Sequence, residues 1–157
     1  GAPLFRKALD QAGVGTLPFY GGDGIFDGTG EGSYIAISGA AAENSYASIA
    51  GSQNIPGKAD FDTKFMAEFG VAAEGYAYAG YACAQILIEG IKAAVAAGDV
   101  TREAVRSAVV DKGAAFETVI GPVTFDSVGD TSQKYISLFK VENGTWVFAD
   151  EVDYTNK

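Results

Sequence analysis

Apolar and polar positions follow two periods along this chain, and the changes between them mark its elements. Residues 3–12 read as a helix with Leu4, Phe5, Ala8 and Leu9 on one face and Gly13 as its stop. Leu17 to Tyr20 is an apolar run that reads as a strand and stops in the turn Gly21-Gly22-Asp23-Gly24. Asp27 to Ser38 is glycine-rich at first and predicts a short helix from Ser33. Ser45 to Ala50 reads as a strand, and residues 51–57, with Pro56, as a loop. A helix follows at about 59–69, with Phe61, Phe65 and Phe69 stacked at i, i+4 and i+8 and Gly70 behind. A long Ala-rich helix covers roughly 75–97, with Ala84, Ile88, Ile91 and Val95 along one face and Gly98 at its end. Thr101 can cap the next helix, with Glu103 in its first turn, Val105, Ala108 and Val109 as its apolar face and Gly113 as its stop. After Phe116 the pattern becomes β, over Pro122–Phe125, Tyr135–Val141 and Thr145–Val152. Asn143-Gly144 between the last two predicts a type I′ hairpin turn. Strands alternating with helices argue for an α/β fold with an antiparallel ending.

Composition narrows the chemistry. The chain has 157 residues, 48% hydrophobic, which is long enough to bury a core. Its net charge is −9, and no Lys/Arg cluster occurs, which argues against a nucleic-acid partner or an anionic membrane surface. It has no histidine, which removes Ser-His-Asp and Cys-His catalysis and the commonest metal ligand. The single cysteine, Cys83, forms no internal disulfide and reads as a small buried hydrophobe among alanines. The most apolar stretch, Gly75 to Ile88, contains Gln85 and is bounded by Glu74 and Glu89, which argues for a buried helix rather than a membrane span.

The Gly-Gly-Asp-Gly turn is the most informative local feature. Its glycines permit a sharp bend and leave the site uncrowded, and Asp23 is its one ionisable group. Ligands of open α/β sheets bind beyond the carboxyl ends of strands, where a lone carboxylate suits an ammonium group. A plain surface turn is the competing reading. Asp23 to Gly28 is no calcium loop, since Ile25 holds the third position and Tyr34 the twelfth. Gly28, Gly30 and Gly32 misplace the third glycine of a dinucleotide fingerprint. Asp23, Asp27 and Glu31 are candidates for a hydrolytic carboxylate pair, but glycine-rich loops hold such separations poorly. Asn143-Gly144-Thr145 matches a glycosylation sequon that the hairpin turn explains better.

An ordered set of segments carries a family resemblance. It runs from FYGGDG (19–24) and YASIAG (46–51) through YAYAGYA (76–82) and REAVRSA (102–108). It ends with GPVTFD (121–126), Gly129-Asp130 and KVENGTW (140–146). In this order and spacing the chain resembles the C-terminal part of a type I periplasmic solute-binding protein, closest to the Leu/Ile/Val-binding group that serves ABC transporters.

The resemblance implies the C-terminal portion of a two-lobed clamshell, with mostly parallel sheets flanked by helices and a C-terminal β-hairpin. It implies that residues 1–45 belong to the second lobe, 46–136 to the first, and 137–157 to a crossover and hairpin returning to the second. It implies that the family's N-terminal part is supplied elsewhere, and that the chain alone exposes sheet edges and apolar helix faces. Asp23 matches the acidic position that binds a ligand's α-ammonium, with Gly24 beside it. Tyr76 matches a position that places an aromatic against the ligand, and Tyr78 is the next candidate; a core role is weighed equally for both. The implied function is non-enzymatic capture of a small amino acid for an ABC-transporter permease, outside the cytoplasmic membrane, in the periplasm or as a cell-surface lipoprotein. No cofactor or metal is called for. The alternative is a ligand-sensing receptor domain of the same fold.

Overall fold

A computed structural model describes residues 1–28, 30–111, 113 and 115–155. In chain order the elements are α1 (Ala2–Gln11), β1 (Phe19–Gly21), a 3-10 turn (Asp23–Ile25), α2 (Tyr34–Ser38), a second 3-10 turn (Gly39–Ala42) and β2 (Ser45–Ala50). Then follow α3 (Lys58–Phe69), α4 (Ala77–Ala96), α5 (Arg102–Val110), β3 (Phe116–Thr118), β4 (Gly121–Val123), β5 (Tyr135–Glu142) and β6 (Thr145–Asp153). They form two compact units, one of residues 1–53 with 135–157, the other of residues 54–134. The first division falls beyond β2, which is hydrogen-bonded to β1 on one side and β5 on the other.

The first unit is built on a four-stranded sheet of order β1-β2-β5-β6. Only β1 and β2 are parallel, joined through α2; β2–β5 and β5–β6 are antiparallel. The sheet is therefore mixed rather than mostly parallel. Strand alternation sends Ser45, Ala47 and Ile49 of β2 and Ser137, Phe139 and Val141 of β5 inward. There Ala47 and Val141 meet Ile25, Tyr34 and Ala42, with Phe19, Phe26 and Trp146 packed around them. The buried Tyr34 hydroxyl is satisfied by Ser45 Oγ at 2.8 Å, and burial pushes its pKa up. The final turn is as expected: Asn143 and Gly144 have φ of 54° and 71°, the two positive values a type I′ turn needs. The Glu43 carboxylate grips this turn, accepting from Asn143 N at 3.2 Å and Gly144 N at 2.7 Å. Strand β6 carries a bulge: Leu138 opposes Asp150 while Phe139 opposes Phe148, which leaves Ala149 without a counterpart.

Helix α1 overturns the expected face. Leu4 and Phe5 are 65% and 58% exposed, whereas Arg6 is 1% exposed. The guanidinium donates from Nε to Ala41 O (2.6 Å), from Nη1 to Leu17 O (3.2 Å), and from Nη2 to Gly15 O (2.7 Å) and Glu43 O (2.9 Å). A buried charge is tolerated only when its donors are met, and four carbonyl dipoles do so here. Those carbonyls belong to the segments entering β1 and β2.

The second unit packs α3, α4 and α5 with the β3–β4 hairpin. Thr101 Oγ1 caps α5 by accepting from Ala104 N, and Gly70 ends α3 in the left-handed region, both as expected. Phe61, Tyr78, Ala82 and Val119 form one core, and Ile86, Phe116 and Val123 another. On α4 the buried stripe is Tyr78, Ala82, Ile86, Gly90 and Ala94. The expected face is the exposed one, with Ile88, Ile91 and Val95 about half in solvent, and Cys83 is exposed rather than buried. Small residues explain the choice: a Cβ on Gly90 would lie 2.6 Å from Val109 Cγ2, so α5 packs close to the stripe. By length and composition alone α4 is long and apolar enough to cross a membrane. Strand β3, not separately expected, pairs with β4 across residues 119–120, and Gln85 Oε1 holds Val119 N at 2.9 Å.

Two substitutions test these constraints. Gly144→Val places a β-branched side chain at positive φ and is expected to cost about 1–3 kcal/mol, read from the urea midpoint of Trp146 fluorescence. Arg6→Met keeps the apolar stem but orphans several carbonyls, and is expected to cost at least ~3 kcal/mol in the same measurement. A midpoint equal to the parent's would refute the corresponding assignment.

Candidate functional site

The turn after β1 is set by one buried side chain. Ile25 enters the core, and two short backbone bonds, Ile25 N to Gly22 O (3.3 Å) and Phe26 N to Asp23 O (2.9 Å), close the 3-10 turn around it. This leaves Asp23 and Gly24 together on the solvent side of the turn, both exposed. The glycines act differently from expectation. None of Gly21, Gly22 and Gly24 has positive φ, so the bend does not demand them. Gly22 and Gly24 face open space, whereas a Cβ on Gly21 would meet Ile25 Cδ1 at 2.6 Å. The turn is thus uncrowded, as expected, but through missing side chains rather than through backbone freedom.

Asp27 does not join Asp23 in a catalytic pair. Both its carboxylate oxygens accept from Tyr34 N, at 2.8 and 3.0 Å, and help to start α2 beside the Ser33 cap. On the outer sheet face Tyr20 stacks on Tyr46 with ring centroids 4.9 Å apart, and Lys140 Nζ lies 5.8 Å from the Tyr46 centroid.

Tyr76 and Tyr78 lie in the other unit. Tyr76 stands at the N-terminal boundary of α4 and is half exposed. Tyr78 is buried against Phe61, and its hydroxyl donates to Asp62 Oδ1 at 2.6 Å. Lys58 Nζ donates to that hydroxyl at 2.6 Å and to Asp62 Oδ2 at 2.7 Å. The Lys58 hydrogen bond, then that of Tyr78, holds the Asp62 pKa below the usual range. Burial first, and the bond to Asp62 second, pushes the Tyr78 pKa up. Tyr78 thus has the geometry of the core role weighed for it, while Tyr76 is half exposed. Sequence reasoning missed Lys58 and Asp62; their i,i+4 spacing on a helix was the available signal. Among the described residues no group of three His, Cys, Asp or Glu side chains is placed to hold a metal ion.

Comparison with solved structures gives the fold at low identity. A leucine-binding protein of Thermotoga maritima is 23% identical with a TM-score of 0.75, over 99% of this chain and 42% of that one. An ABC-transporter substrate-binding protein of Desulfitobacterium hafniense, in complex with Leu, is 24% identical with a TM-score of 0.67, over 95% of this chain and 40% of that one. A solute-binding protein of an ABC transporter from R. palustris, in complex with benzoate, is 22% identical with a TM-score of 0.62, over 94% and 39%. The chain therefore spans about two fifths of the length of the structures it resembles. No curated protein matches it. The family model for periplasmic binding proteins matches residues 1–145, and its fold is that of part of a type I binding protein. With nearly its whole length inside that model, this chain belongs to the periplasmic binding protein family.

Proposed function

We propose that this chain is the C-terminal portion of an extracytoplasmic solute-binding protein that captures a small amino acid between two lobes and delivers it to an ABC-transporter permease. The observation that carries this reading is Asp23, an exposed carboxylate two residues past the end of β1, flanked by Gly22 and Gly24 with open space around both. Strand ends of α/β sheets are where such ligands sit. A carboxylate reached without steric hindrance makes a charge-assisted hydrogen bond to an ammonium group, strengthened when water is excluded. Gly24 lets the ligand's backbone-like end approach closely. Binding of this kind needs no cofactor, metal or catalytic group. The remainder of the clamshell, supplied elsewhere, carries the groups for the ligand's carboxylate. The protein works in the periplasm or on the cell surface as a lipoprotein.

A ligand such as benzoate carries no amine, and an anionic site gains nothing from it. The ligand class is therefore decided at Asp23. A thermal-shift screen of the complete protein should single out an amino acid of the branched-chain type. A ligand at ~100 times its Kd stabilises by roughly 2.7 kcal/mol. Asp23→Ala should weaken that binding by about 2–5 kcal/mol, much of it the cost of an unpaired ammonium, and leave the fold intact. Asp23→Asn should weaken it too, because it keeps the size and loses the charge. If calorimetry finds both variants as tight as the parent, Asp23 is a turn residue and the site or ligand class is another.

A further inference from the structure

The two units are linked by the chain at two places only, between Gln53 and Asn54 and between Lys134 and Tyr135. On the first-unit side these two strands of chain are fastened to each other. Gly51 N donates to Tyr135 O at 2.9 Å, and Ser137 Oγ, wholly buried, donates to Gly51 O at 2.7 Å. Gly51 has φ of 112°, a conformation closed to L side chains, which turns the chain out of β2. Beside them lies the carboxylate of Glu151 on β6. It accepts from Ser52 Oγ at 3.0 Å through Oε1 and from Gln53 N at 2.8 Å through Oε2, with Ser137 Oγ 3.2 Å from Oε2. One side chain, 98 residues away in sequence from Gln53, thus holds the last two residues before the first crossing.

We propose that Glu151 is the hinge anchor of this protein. It holds Ser52 and Gln53 to the sheet, so that bending between the units is confined to the chain from Asn54 on and up to Lys134. Hinges work when a few positions absorb the change in backbone angle while their flanks stay rigid. A charged acceptor shared by a backbone N–H and a hydroxyl supplies that rigidity, since hydrogen bonds to ionised groups are the stronger ones. Losing the carboxylate frees two more residues to bend and multiplies the orientations the units sample.

The inference rests on the two-lobed reading proposed above, but its test needs no ligand. Spin labels at Lys7→Cys in the first unit and Lys64→Cys in the second, in a Cys83→Ser background, report the inter-unit distance distribution of the complete, ligand-free protein by pulsed electron resonance. Glu151→Ala should widen that distribution. Glu151→Gln, which keeps one acceptor oxygen, should widen it less. Ser52→Ala, which removes one donor and leaves Glu151 in place, should widen it in the same sense and serves if Glu151→Ala fails to fold. Equal widths for the parent and all folded variants overturn the anchor. A screen that finds no amino-acid ligand counts against the proposed function alone and leaves these widths readable.

Discussion

A single guanidinium decides where the first unit's two parallel strands begin. Arg6 has left water with no carboxylate among the described residues to meet it, and a charge in that position is stable only if its donors are nearly all used. Carbonyls of Gly15 and Leu17 stand before β1, and those of Ala41 and Glu43 before β2. Because all four converge on one rigid, planar fork, the starts of both strands are tied to α1 and to each other. The pairing Phe19↔Ser45 follows, and with it the place where β1 ends and Asp23 emerges. Glu43 extends the linkage, since its carbonyl meets Arg6 while its carboxylate holds the turn at Asn143-Gly144. The amino-terminal helix, both strand entrances and the last hairpin are therefore one connected polar framework around an apolar core.

Much of the fold was legible because it is encoded locally. Asn143-Gly144 specifies its turn by backbone sterics, Thr101 its cap by a hydroxyl, and Ser45 to Ala50 its strand by alternation. What was not legible depends on partners distant in sequence. The inward face of α1 is chosen by carbonyls up to 37 residues away, which no local period encodes. On α4 nearly every face is apolar, so periodicity has nothing to separate. The winning stripe is the one whose small residues, Gly90 among them, let α5 approach. Of the candidate site, the exposed carboxylate after a strand was readable. That Asp27 spends both oxygens on Tyr34 N was not, because its partner lies seven residues on, across a glycine-rich loop.

Exposed apolar side chains occur on both units: Leu4, Phe5, Leu17 and Tyr20 on one, and Leu87, Ile88, Ile91 and Val95 along one face of α4 on the other. Isolated exposed hydrophobes are ordinary, but groups of them on one helix face mark surfaces that meet other protein. Strand β1 is also an edge of its sheet, short and without a second neighbour among the described residues.

The bulge at Ala149 has a consequence for heredity as well as for geometry. Along a strand, side chains alternate faces, so Phe148 and Glu151, three residues apart, would ordinarily point to opposite sides. They share a side, opposite Phe139 and Ser137, because one residue is skipped between them. Removing Ala149 would leave every amino acid of the strand's ends unchanged in kind. It would also leave residues 150–153 on their present faces, with Glu151 still opposite Ser137, because the pairs Phe139↔Phe148 and Leu138↔Asp150 become consecutive once the extra residue is gone. A lineage can therefore replace Ala149, or lose its codon, and keep the pairing of both ends of the strand.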